Sequence, residues 1–255
     1  MTAMLRSSIF PLVLLISFAA PLPGQEAGWD GEVELGASFL FGANEQSLVA
    51  SRFKAGHADS SWEKAGEGRF QYGTSTDDLG ESHLSNRAWN LDATVVYLPF
   101  AVLSYFASAG VESSFQRKID TRWTGGGGIV YNLIRDATTQ VDLRAGLLAE
   151  KTAFDADVAV DPGAEDLLAR ATARLHGKHA IDDDRIVLES ETTYRPELDD
   201  FGRYVVATTN SAAYRLTETF ALKLSLVDVY DTEAVARGAN SDHDGQVLIS
   251  VLGSF

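Results

Sequence analysis

Two stretches of the chain carry charge at a spacing that can do chemistry. Arg170, Arg174, His176 and Lys178 occupy even positions of a segment whose odd positions are Leu167, Ala169, Ala171, Ala173 and Leu175. Beyond Asp182-Asp183-Asp184, Glu189 and Glu191 alternate in the same way with Ile186 and Leu188. Side chains of an extended strand point to opposite faces in turn, so the bases share one face of the first strand and the acids one face of the second. Folded across a short turn, the strands set a basic ladder against an acidic one in either plausible register. Opposed charged walls orient a charged solute, as charge rings do in pores. The same pairs act structurally as cross-strand salt bridges inside an occupied interior.

Other constellations carry less. A lipid-degrading site needs a Ser-His pair with an orienting partner. Of the five histidines, His57 and His179 sit beside short turns, His176 shares the charged face, and His83 and His243 fall in long connections, with no evident serine partner. No enzyme is expected. The acidic segment from Phe154 to Asp166 lacks the ligand spacing and turn glycine of a calcium loop, and Gly125 to Gly128 is followed by no Lys-Ser/Thr of a phosphate loop. Glycines within a strand instead mark a bend or a close backbone approach. With no cysteine there is no disulfide, thiolate nucleophile or cysteine metal site. No cofactor or metal is implied.

The elements that must hold the charged ladders are strands. The chain has 255 residues, of which 45% are hydrophobic. Its mean hydropathy of -0.06 is too low for a bundle of membrane helices. A formal net charge of -15 repels an anionic backbone, so nucleic acid is not an expected partner. Arg6 followed by the apolar run from Ile9 to Ala20 reads as a signal peptide over residues 1–24, with cleavage between Ala20 and Ala27.

From Trp29 onward, apolar residues recur with period two. Trp29, Val33, Leu35, Ala37 and Phe39 alternate with Asp30, Glu32, Glu34 and Ser38, and eleven further segments repeat the pattern, ending at Val247, Ile249, Val251 and Phe255. Asn210 is the exception, a carboxamide on the face that otherwise reads as apolar. Roughly 230 residues over twelve strands gives about 19 per strand and connection, enough to cross a thin apolar layer at a tilt. Short connections such as Asp59-Ser60-Ser61 and Asp136-Ala137-Thr138 alternate with long ones such as Lys151 to Asp166 and Asp231 to His243. Aromatic residues gather at strand ends and small aliphatic ones mid-strand, the reverse of a soluble sandwich core. The pattern predicts an all-β transmembrane antiparallel up-and-down barrel of about twelve strands, with both termini on the periplasmic side. A soluble exported β-protein is the runner-up.

The segments Gly28-Trp29-Asp30-Gly31-Glu32-Val33-Glu34-Leu35-Gly36-Ala37-Ser38-Phe39, Gly125 to Ile134 and Val141-Asp142-Leu143-Arg144-Ala145-Gly146 resemble the YdiY-like family of salt-induced outer-membrane proteins, which carries a domain of unknown function. The chain departs from it at Phe41-Gly42-Ala43-Asn44-Glu45, where the family often has a Ser-Gly-Asn-Thr type turn. The resemblance implies the outer membrane of a Gram-negative envelope and brings no catalytic residues. Phe255, closing an alternating strand, resembles the signal read by the outer-membrane insertion machinery, which with membrane lipid and small solutes completes the expected partners. Arg170, Arg174, His176, Lys178, Glu189 and Glu191 are the expected pore-lining residues of a narrow channel for small or charged solutes. The alternatives are a non-conducting envelope-structural or stress-related barrel and a lipid-acting enzyme.

Overall fold

The computed structural model describes residues 28–40, 45–76, 81–156, 158 and 167–255. The segment read as a signal peptide, the first connection and most of the acidic segment lie outside them. The elements are β1 (Trp29–Leu40), β2 (Glu45–Ala58), β3 (Trp62–Thr76), β4 (Ser82–Tyr97), β5 (Leu103–Ser114), β6 (Ile119–Arg135), β7 (Thr139–Phe154), β8 (Leu168–Ile181), β9 (Ile186–Pro196), β10 (Tyr204–Arg215), β11 (Phe220–Asp231) and β12 (His243–Ser254). Each strand pairs antiparallel with its neighbours in sequence, and β12 returns to β1, so the sheet closes as an up-and-down barrel. Closure removes every free sheet edge, the condition for strands to stand in hydrocarbon.

Alternation decides which way each side chain points. Val33, Leu143 and Leu224, which a stacked sandwich would bury, are 40%, 40% and 52% exposed on the outer wall. Aromatic rings edge that wall at both ends. Trp29 stacks on His57 and Trp62 tilts against Tyr97 at the end carrying the short turns, while Tyr194, Tyr204, Tyr230 and His243 follow one another around the opposite rim. Inside, Glu34, Arg122, Glu150, Arg170 and Lys223 are buried. A soluble protein has its apolar side in and its charges out; here the two are exchanged, so the outer wall faces lipid.

The short turns are built by side-chain acceptors. Asp59 Oδ1 accepts from the backbone N–H groups of Ser61 and Trp62, and Asp136 Oδ1 from those of Thr138 and Thr139. These bonds favour the ionised form and hold both carboxyls below the usual aspartate range. Asp182, Asp183 and Asp184 turn the chain with positive φ at three successive residues, a region aspartate tolerates better than bulkier side chains.

At the other end the connections are shorter than the sequence pattern implies. β6 starts at Ile119 and β7 runs to Phe154, so the first three loops on that side contain only residues 41–44, 77–81 and 115–118. The long ones are 155–167, 197–203 and 232–242. Bulges explain the difference. The register slips between Gly73 and Thr74, between Glu112 and Ser114 and between Ile119 and Thr121, and each slip breaks the period of two while the ladder continues.

The glycine run in β6 is a close approach, not a ligand loop. Gly128 is registered with Gly146 of β7, and a Cβ on either would collide with the facing backbone. Strands β6 and β7 therefore meet where side chains would hold them apart.

Candidate functional site

The barrel wall encloses a cavity of about 630 Å³. Its lining runs from Pro99 and Arg135 beside the short turns to Arg117 in the connection at the loop end. Near the turn end an apolar cluster of Val96, Phe106 and Val130 lines it, and there the Ser104 hydroxyl donates to the Leu98 carbonyl at 2.7 Å. Higher up, Gln246 Nε2 donates to Gln71 Oε1 at 3.1 Å, bridging β12 and β3 over the two strands between them.

Strands β7, β8 and β9 form the wall that the charge pattern singles out. The register sets Lys178 opposite Glu189 and His176 opposite Glu191. Pairing is diagonal rather than level: Arg174 pairs with Glu191, and His176 Nε2 lies 3.1 Å from Glu189 Oε1. The other ring nitrogen of His176 is 2.9 Å from Asp142 Oδ2, and Arg144 Nε is 3.2 Å from Asp142 Oδ1. The imidazole is thus clamped between two carboxylates from the strands on either side. Lys178 lines the cavity and forms no ion pair among the described residues, and Lys54 on β2 is in the same position.

Arg170 stands apart from the other five expected residues. It does not line the cavity but is buried in the wall near the loop end. Arg170 Nε is 3.1 Å from Glu150, and its Nη2 donates to Glu197 at 2.9 Å. Glu150 also faces Arg122, which reaches Glu112, and Glu112 pairs with Arg117. A chain of alternating charges therefore crosses from β5 to β9, each member ion-paired with its neighbours. The carboxyl of Glu197, just past β9, has its pKa pushed up by burial despite Arg170, whereas for Arg117, in the loop, burial acts to lower the pKa but the charge of Glu112 outweighs it and raises it.

A second group lies on the opposite wall. Glu34 is 2.9 Å from Lys223 Nζ, accepts from Ser250 Oγ at 2.6 Å and lies 3.7 Å from Arg52. Arg52 in turn makes a two-pronged contact with Glu67, at 3.0 and 2.9 Å. Sequence reading singled out none of these residues. Alternation alone turns them inward, but their partners come from barrel closure.

His57, His176, His179 and His243 pair with groups other than serine. His57 Nδ1 is 2.6 Å from the Gly28 carbonyl, His179 Nδ1 is 2.9 Å from Thr139 Oγ1, and His243 Nδ1 is 3.3 Å from Asp228. None of these three contacts joins a hydroxyl, an imidazole and an orienting carboxylate in series. Among the described residues no group of three His, Asp or Glu stands close enough to hold a metal ion. Phe255 continues past β12, exchanging backbone hydrogen bonds with Gly31 at 2.9 and 3.0 Å while its ring lies over the Gly31 α-carbon.

The model of a family described as a protein of unknown function, DUF481, matches residues 33–252. The chain belongs to that family. DUF481 is the YdiY-like family that the strand segments resemble. The matched span runs from within β1 to within β12, so it covers nearly the whole barrel. No curated protein matches the chain. Among solved structures, this DUF481 chain is similar to the COG4313 outer membrane channel from Pseudomonas putida F1, at 12% identity and a TM-score of 0.50, covering 89% of this chain and 95% of that one. It is also similar to the KdgM porin in complex with disordered oligogalacturonate, at 11% identity and a TM-score of 0.47, covering 88% and 99%. The NanC porin gives 10% identity and a TM-score of 0.47, covering 88% and 97%. At these identities the likeness is one of fold.

Proposed function

We propose that this chain is a narrow outer-membrane channel for small charged solutes. The observation that carries the reading is the continuity of one cavity, whose lining includes Arg135 beside a short turn and Arg117 at the loop end. A barrel built only to stand in the envelope has no need of such a passage. Lys54 and Lys178 offer charge to a passing ion because neither makes a direct ion pair with a carboxylate of the described residues, although Glu67 and Glu189 stand opposite them across the strand pairs. Arg174, His176, Glu189 and Glu191 are spent largely on one another, so they shape the passage more than they attract a solute. That an outer membrane channel shares this fold is compatible with the proposal.

The partners follow from the same reading. The outer wall meets outer-membrane lipid, Phe255 is the residue offered to the insertion machinery, and the short turns are periplasmic. Purified barrel in a planar bilayer should give discrete current steps. Traces that stay closed at every salt concentration would exclude the channel.

The second reading is a non-conducting envelope barrel, favoured by the buried chain from Arg117 to Glu197, which stiffens the wall without touching the cavity along most of its length. The same recording separates the two.

A further inference from the structure

The lipid-facing wall carries an unusual polar patch on β9 to β11. Asn210 points outward from the middle of β10, between the rim residues Tyr204 and Tyr214 on the same face. Ser190 Oγ donates to its Oδ1 at 2.8 Å, and its carboxamide nitrogen has no hydrogen-bond partner among the described residues. One rung toward the loop end, the Thr192 and Thr208 hydroxyls lie 3.4 Å apart, and Asp228 is registered with Thr208. The Asn210 rung continues through Ser190 to Gly177, which offers no side chain. Gly177, Leu188, Ala212 and Leu224 line a groove of about 520 Å³ there.

Lipid tails fill a groove but accept no hydrogen bond, so at this depth the amide pays its desolvation in full. We propose that this face is the interface of a dimer of barrels, and that its occupant is a second copy of this chain. Two copies inserted in the same sense are related by a two-fold axis along the membrane normal. That rotation leaves every residue at its own depth, so Asn210 meets Asn210. A carboxamide is self-complementary, since each N–H group can donate to the other copy's oxygen. The rotation also lays β11 of one barrel over β9 of the other, bringing the Leu224 and Leu226 edge of one groove toward the Leu188 edge of the other. A headgroup lies too shallow to answer Asn210, and an unrelated protein would need its own polar group at this depth.

The absence of cysteine from the chain makes the test direct. Thr208→Cys and Ala212→Cys each introduce one thiol beside the proposed axis with Asn210 intact, and Leu91→Cys places one on the outer wall of β4, six strands away around the ring. Oxidation of native membranes should trap a species of twice the chain mass from the first two and not from the third. In an Ala212→Cys background, Asn210→Leu should lower that species roughly tenfold. Heat-dependent gel mobility checks that each variant is folded, with Val206→Cys replacing one that is not. No cross-link from the folded variants, equal cross-linking from Leu91→Cys, an adduct with a different protein, or an unchanged yield with Asn210→Leu would each overturn the proposal.

Discussion

Glu34 and Lys223 are separated by most of the chain, yet their side chains meet at 2.9 Å inside the barrel, where they are only 10% and 7% exposed. Glu34 stands on β1 and Lys223 on β11, so the contact spans β12 and ties together the strands on both sides of the closing seam. Removing one member of a buried pair strands the other charge, at a cost of about 3–5 kcal/mol. Lys223→Ala should therefore lower the urea midpoint of the detergent-solubilised barrel sharply. The double variant Lys223→Ala/Glu34→Ala should be less destabilised than the two single losses added together. Strict additivity would mean the pair is not coupled.

Arg170 and Lys178 lie on one face of β8 but should behave as opposites. Arg170→Glu places an acid beside Glu150 and Glu197 in the wall and should unfold the barrel, read as loss of heat-dependent mobility. Lys178→Gln removes a cavity charge that forms no ion pair, without setting a second carboxylate opposite Glu189. It should leave stability within about 0.5 kcal/mol and move the reversal potential in a salt gradient toward cation preference. An unmoved potential would remove Lys178 from the conducting path.

Gly128 should tolerate no side chain. Valine there would drive its Cβ into the Ala145 carbonyl and Gly146, forcing β6 away from β7. Gly125, three residues away and on the outer wall, has nothing within 4 Å of an added Cβ. Gly125→Val should fold, whereas Gly128→Val should be lost from the membrane fraction. Equal yields would contradict the close approach.

Asp59 and Asp136 make the turns sensitive to acid. Both carboxyls are held below their unfolded range by backbone N–H groups. Their contribution is therefore complete above the unfolded aspartate value, about pH 4, and is lost as pH falls through the lower folded value. Asn at both positions keeps an acceptor without the charge. The stability difference between wild type and Asp59→Asn/Asp136→Asn should be constant near neutrality and close below about pH 4. A difference that does not change with pH would show that the turn bonds do not depend on ionisation.

The architecture was legible because lipid-facing alternation is written locally. Each residue's face follows from its parity, and twelve runs of that parity are the twelve strands. Legibility failed where parity fails. The bulges at Gly73, Ser113 and Asp120 made continuing strands read as loops. Within the lumen, parity gives the face of Arg170 and Arg174 alike, but depth separates them, and depth depends on the stagger of neighbouring strands. Glu34 was unreadable as a clamp because two of its partners belong to strands that meet it only once the ring has closed.

The seam that Glu34 fastens also sets an order of events. β1 is registered with β12 only from Glu32 to Ala37, whereas its ladder with β2 extends from Trp29 to Leu40. Bringing together ribbons so distant in sequence costs the most chain entropy and returns the shortest ladder. The hairpins can zip up one after another while those two ribbons are still apart, leaving a curled, open trough as the penultimate state. Its two raw edges would be the sites where a foreign strand could template the final join or, unattended, where neighbouring troughs would stick together.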